Sequence, residues 1–268
     1  MAGSGFGTNF RITTWGETHG AGVGVVVDGC PAGLPLERED VQKYLDRRKP
    51  GQSKYTTQRK EGDQVEILSG IFEGRTTGTP ISMVVYNKDQ RSKDYSNIKD
   101  IYRPGHADFT FDMKYGFRDY RGGGRSSGRE TIGRVAAGAV AAKVLKELGI
   151  EIKAYAKAIA GIEVSKEHFD FAEMNNNPFN MPDKEAAKLV QEKADQMIKE
   201  MDSIGGIIEC QITGMPVGIG ETVFDKLDAE LSKAIMSIGS VKGFEIDLRL
   251  PTCEGQRIMM ILSVLMGR

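Results

Sequence analysis

The chain has 268 residues, a formal net charge of −1 and 40% apolar residues, enough for one large core or two modest domains and without a global field that would draw nucleic acid or an anionic membrane. No stretch of ~18 apolar residues predicts a transmembrane helix, and the N-terminus lacks the basic and apolar regions of a signal peptide. Cys30, Cys210 and Cys253 stand far apart with no metal-ligand or CxxC spacing, which predicts free thiols in a reducing cytoplasm and no metal site.

In chain order, apolar runs predict strands over 10–14, 23–27, 65–71 and 81–86, then over 150–164 as a hairpin broken near Gly161, and over 207–213. Helical periodicity predicts helices over 36–48, stopped by Pro50-Gly51; over 131–148, stopped by Gly149; over 184–201; and over 223–236. Strands and helices do not alternate regularly, so the class is α+β rather than doubly wound. Two long polar loops, 50–62 and 87–124, separate these elements, and long loops in compact domains are usually functional or disordered.

The loops are rich in cations. The first holds Lys54, Arg59 and Lys60, just after Arg47, Arg48 and Lys49; the second holds Arg91, Lys93, Arg103, Lys114, Arg118 and Arg121, with Arg125 directly after it. Such clusters suit a small, highly charged anion, because arginine forks onto phosphate and carboxylate; a solvated basic face is the plainer alternative. RNA binding fits less well, since aromatics do not interleave with the charges.

The segment Arg-Gly-Gly-Gly-Arg-Ser-Ser-Gly-Arg-Glu, 121–130, runs straight into a helix. Ser127 and Glu130 have capping-box spacing, and a helix start after flexible glycines is a natural phosphate seat; a flexible loop with a good cap would read the same. The Walker pattern is absent. Of the three histidines, His19 follows a strand in Gly-Glu-Thr-His-Gly and His106 follows Pro104-Gly105. Both stand on loops where proton-transferring residues often sit. His168 lies in a charged surface stretch.

Together these segments resemble chorismate synthase. The likeness rests on Gly16–Gly20, Arg103–Asp108 and Gly122–Ser127, with Asp46-Arg47-Arg48-Lys49-Pro50-Gly51-Gln52-Ser53, Thr76-Thr77-Gly78-Thr79-Pro80, Asp202-Ser203-Ile204-Gly205-Gly206 and Val241-Lys242-Gly243-Phe244-Glu245-Ile246 in the same order. The resemblance implies a cytoplasmic lyase that converts 5-enolpyruvylshikimate 3-phosphate to chorismate and phosphate. The reaction is an anti-1,4 elimination that needs reduced FMN, at the last step of the shikimate pathway. It implies a β-α-α-β sandwich, a homotetramer, and no nucleic-acid or membrane partner. His19 and His106 would be catalytic, His19 setting the protonation of the flavin and His106 protonating the departing phosphate. Arg125, Ser126 and Ser127, with Gly239 and Ser240, match flavin-contacting stretches. Arg48 and Lys54 match positions that contact NADPH in members that reduce their own flavin. Arg48, Arg103, Arg125, Arg129 and Arg134 would clamp the substrate anion. Gly128 stands where the family usually has Ala, a change that costs up to ~1 kcal/mol locally and leaves the chemistry intact.

The likeness divides the chain into 1–246, similar to the family, and a non-matching tail, 247–268, so the expected sandwich is incomplete at its C-terminus. Residues Gln256–Ile261 can be encoded as CAG AGA ATA ATG ATG ATT, which from its third base reads Glu-Asn-Asn-Asp-Asp. That is like a motif the family carries here, and suggests a shifted reading frame. A natural divergent tail is the alternative, and an inactive remnant that binds ligand weakly is the alternative to a working lyase. A frameshifted tail would expose the apolar residues of 258–266.

Overall fold

In the computed structural model the described residues are 3–56, 61–88, 98–249 and 257–266, with side chains to residue 246. Arg59, Lys60, Arg91 and Lys93 lie outside them. The chain divides into two compact units, 1–144 and 145–268, and the mixed helix and sheet content bears out the α+β expectation. Among the described residues, no helix is long and apolar enough to cross a membrane.

The first unit is built on a five-stranded antiparallel sheet. In chain order its strands are β1 (Gly5–Phe6), β2 (Arg11–Gly16), β3 (Gly22–Asp28), β4 (Val65–Ile67) and β7 (Ile81–Tyr86), lying side by side as β1-β2-β3-β7-β4. A small ribbon of β5 (Ile71–Phe72) and β6 (Arg75–Thr76) precedes β7. Two-residue alternation puts Val23, Val25 and Val27 of β3 on the same face as Ile81, Met83 and Val85 of β7, all fully or almost fully buried. Their core is completed by Val41 and Leu45 of α1 (Arg38–Arg48) and by Ile132, Ala136 and Val140 of α3 (Thr131–Glu147). The predicted strand 65–71 is split, because Gly70 takes φ 84° and Leu68 turns outward.

One helix was not expected. α2 (Asp108–Tyr115) lies inside the second long loop and ends at Gly116 with φ 71°, a left-handed C-terminal cap. Phe109 and Met113 are exposed, so the helix buries no continuous apolar stripe and periodicity does not reveal it.

The second unit is another five-stranded antiparallel sheet, β11-β12-β10-β8-β9. Its strands in chain order are β8 (Glu151–Ile159), β9 (Ile162–Glu163), β10 (Ile204–Thr213), β11 (Val241–Arg249) and β12 (Arg257–Met266). β8 and β9 form the expected hairpin, turning through Ala160 and Gly161 at positive φ. α4 (Lys184–Glu200) begins where Asp183 accepts from the Glu185 and Ala186 amides at 2.9 and 3.0 Å, and packs Ala186, Ala187 and Val190 with Ala156 and Ile159. α5 (Leu227–Met236) starts four residues later than predicted, since Val223 and Phe224 are exposed whereas Leu227 and Leu231 pack with Ile150, Cys210 and Ile212. The tail supplies β12, an interior strand paired with β10 on one side and β11 on the other. Whether its side chains are exposed lies outside the described residues.

Candidate active site

In the first unit the segments singled out in the sequence come together at the end of β2. The loop 122–130 docks on that strand through Arg125, whose Nη1 donates to the Gly16 carbonyl at 3.1 Å and whose Nη2 donates to the Thr14 carbonyl and hydroxyl at 3.2 and 2.7 Å. Thr14 Oγ1 donates in turn to Glu130 Oε1 at 2.8 Å, and Arg134 Nε donates to Glu130 Oε2 at 2.8 Å. One carboxylate thus stands between two of the arginines expected to bind anions. Glu130 is therefore not half of a capping box. Ser127 alone caps, accepting from the Arg129 amide at 3.3 Å at the start of a 3-10 turn that leads into α3.

His19 sits in the turn after β2 and is buried. Asn87, at the end of β7, ties that turn by donating from Nδ2 to the carbonyls of Glu17 and Gly20, both at 2.9 Å. Asn87 Oδ1 accepts from Arg129 Nη2 at 3.0 Å, and Arg129 Nη1 donates to Asp63 Oδ1 at 3.0 Å. Asp63 Oδ2 accepts from Arg48 Nη1. The Asp63 side chain has no exposure and that of Arg129 only 6%. Arg48 and Arg129 are thereby joined on one buried carboxylate by charge-assisted bonds, and Asn87, which accepts from Arg129, links them to the His19 turn through two neutral ones. Neither borders the cavity described next.

A cavity of ≈ 180 Å³ opens beside the Gly122–Gly124 backbone, walled by Phe111, Tyr115 and Phe117 and bordered by His106, Arg125 and Ser126. Asp108, at the first position of α2, is 3% exposed and collects donors. Arg103 gives Nε to Oδ2 at 2.7 Å and Nη2 to Oδ1 at 2.8 Å, with a further bond from Nη2 to the Gly122 carbonyl at 2.8 Å. Arg118 gives Nη1 to Oδ1 at 3.0 Å. The Arg103 guanidinium holds the Asp108 carboxyl well below the usual carboxylate range, against the opposing pull of burial.

The other expected residues fall as follows. Ser126 Oγ donates to the Gly123 carbonyl at 2.7 Å. The Lys54 ammonium lies 5.1 Å from the Tyr55 ring centre, and Lys54 does not border the cavity. Gly239 and Ser240 belong to the second unit, in the turn between α5 and β11, where Ser240 takes φ 71°. His168, also in that unit, is half-exposed with Nδ1 3.4 Å from Glu185. Of the groups that organise the site, Asp63 and Asn87 carry no signal in the sequence; Glu130 stands there only as half of a capping box, and Asp108 only as the end of the Arg103–Asp108 segment, eight residues before a glycine suited to end a helix.

The chorismate synthase family profile matches residues 10–254. The chain is 70% identical over 246 residues to a chorismate synthase of Lachnospira eligens, covering 92% of this chain and 67% of that protein. It is 64% identical to one of Agathobacter rectalis over the same shares. With one of Methanococcoides burtonii it shares 59% identity over 250 residues, 92% of this chain and 68% of that protein. A crystal structure of chorismate synthase superposes with a TM-score of 0.77 at 27% identity, covering 97% of this chain and 84% of the other. The site built around His19, His106 and the Gly122–Ser127 loop thus stands on a chain that belongs to the chorismate synthase family.

Proposed function

We propose that this chain eliminates phosphate from 5-enolpyruvylshikimate 3-phosphate to give chorismate, with reduced FMN in the cavity of the first unit. The observation that carries the reading is the meeting of His106, Arg125 and Ser126 around the Gly122–Gly124 backbone, in a chain of this family.

The residues present fit a flavin. A flat ring with a phosphate tail needs apolar walls, closely approaching backbone and anion donors. Phe111, Tyr115 and Phe117 offer the first, Gly122–Gly124 the second, and Arg125 and Ser126 the third. Arg125, Ser126 and Ser127 would hold the cofactor in the first unit; Gly239 and Ser240, in the second, match a flavin-contacting stretch of the family. Arg48 and Lys54 are the positions for NADPH where it serves as reductant. Reduced flavin supplies the electron density that lets phosphate leave without net redox change.

The chain's own residues bind and move protons. Arg103, Arg125 and Arg134 neutralise the substrate's phosphate and carboxylates, and the departure of phosphate is eased because these cations are already held in place. Arg48 and Arg129 add positive field while keeping the His19 turn fixed through Asp63 and Asn87. His106 gives a proton to the phosphate oxygen as it leaves. His19, whose ring lies against Gly122 of the cavity wall, would hold a proton beside the flavin and so set its charge. The working form is a homotetramer.

Alanine at each histidine tests the assignment. His19→Ala and His106→Ala should each slow chorismate formation ~10²–10⁴-fold, the usual worth of a positioned proton donor, whereas His168→Ala should leave it unchanged. A damaging His168→Ala beside two harmless changes would refute the roles.

A further inference from the structure

His106 does not stand alone at the cavity. Its Nδ1 is 3.0 Å from Asp108 Oδ1, although the ring is turned so that an N–H there does not run straight at the oxygen. Oδ1 also accepts from Arg103 and Arg118, and Oδ2 accepts from the Arg103 side chain and, at 3.1 Å, from its amide. Arg118 is fixed in turn: its Nε donates to Asp112 at 2.9 Å and its Nη2 to the Lys99 carbonyl at 2.7 Å, with its side chain 6% exposed. Asp108 therefore cannot swing away without breaking several charge-assisted bonds, and the Arg103 guanidinium beside it favours its charged form.

We propose that Asp108 is the positioning residue of His106, fixing the neutral imidazole with its hydrogen on Nδ1 and so making Nε2 the atom that exchanges the proton. A ring nitrogen with a bare lone pair would be repelled by a carboxylate oxygen at 3.0 Å, whereas one that carries a hydrogen is attracted. The two arginines are what make this possible: they keep the carboxylate in place and balance its burial, with Asp112 balancing Arg118. A carboxylate behind a histidine sets tautomer and orientation in the same way in hydrolytic triads, without itself taking the proton. The proposal rests on the reading of His106 as the proton donor. It adds which nitrogen acts, and which residue decides that.

With three histidines in the chain, imidazole nitrogen spectra of the ¹⁵N-labelled protein can be assigned, the His106 signals being those lost in His106→Gln. At a pH where the ring is neutral, His106 should be more than ~90% in the Nδ1–H form. Asp108→Ala should shift more than half of it to Nε2–H, the form favoured in water, and Asp108→Asn should shift it by less. Turnover with reduced FMN adds a second readout. Asp108→Ala should lower kcat at least ~10-fold with KM changed less than ~3-fold, and should cause no further loss when added to His106→Ala, since a residue acting only through another is not additive with it. An Nε2–H tautomer in the unmodified protein overturns the proposal, as does an unchanged tautomer in a folded Asp108 variant or a full additional loss in the double variant. Should neither Asp108 variant fold, the tautomer of the unmodified protein decides alone. Should His106→Ala keep full turnover, the donor role falls instead, whatever the tautomer.

Discussion

Gly122 lies against the ring of His19, so close that a Cβ on it would come 2.4 Å from His19 Cδ2 and 2.8 Å from Nε2. The glycine also holds φ +66°, where a side chain is strained. The first glycine of the Gly-Gly-Gly run is thus one wall of the histidine's seat, and the two segments constrain each other.

Gly122→Ala should therefore displace His19 or lift the loop. The backbone alone should cost about 1–3 kcal/mol, and a misplacement of about 1 Å at the reacting groups should lower turnover ~10²-fold. Chemical unfolding and chorismate formation measure the two effects. Full activity at unchanged stability would mean that the ring and the glycine are not in contact.

Asp63 is the joint between Arg48 and Arg129. Asp63→Asn keeps the shape and tolerates the left-handed φ of 41°, but leaves two partly or fully buried guanidinium groups without their anion. Breaking a buried pair typically costs about 3–5 kcal/mol, and urea unfolding should show a loss near the lower end of that range. A loss under about 1 kcal/mol would show that solvent or another anion already neutralises the arginines.

Acid should act through Asp108. Its folded pKa lies below its ordinary value because Arg103 stabilises the charged form. Its contribution is therefore fully present above the unfolded carboxyl's pKa near ~3.9 and is lost as pH falls through the lower folded value. Unfolding free energy against pH should show Asp108→Asn well below the unmodified protein at pH 6, with the two curves converging under about pH 4. Curves that stay parallel down to pH 2 would contradict the sign.

Much of this was legible in the residues. Helices α1, α3 and α4 lie within about two residues of their predicted ends, because each has apolar periodicity and the first two have clear stops in Pro50-Gly51 and Gly149. The segments that meet in the candidate site are legible too, since His19, His106 and Arg125 stand in glycine-rich stretches next to predicted elements. What stayed hidden were the partners that are far apart in sequence. Nothing near Asn87 or Asp63 in the chain shows that they meet Arg129, 42 and 66 residues away. Periodicity does not mark α2, because Phe109, Met113 and Tyr115 are exposed and none of its apolar side chains is fully buried. The strand 257–266 shows in the sequence only as an apolar run without alternation, and its pairing with β10 and β11 appears only in the structure.

The purified 268-residue chain can be incubated with 5-enolpyruvylshikimate 3-phosphate and FMN under anaerobic conditions, following chorismate and phosphate together. Equal amounts of both should appear with reduced FMN, none with oxidised FMN, and the yield should fall when His106 is alanine. If a folded chain given reduced FMN forms no chorismate, this elimination is not its reaction.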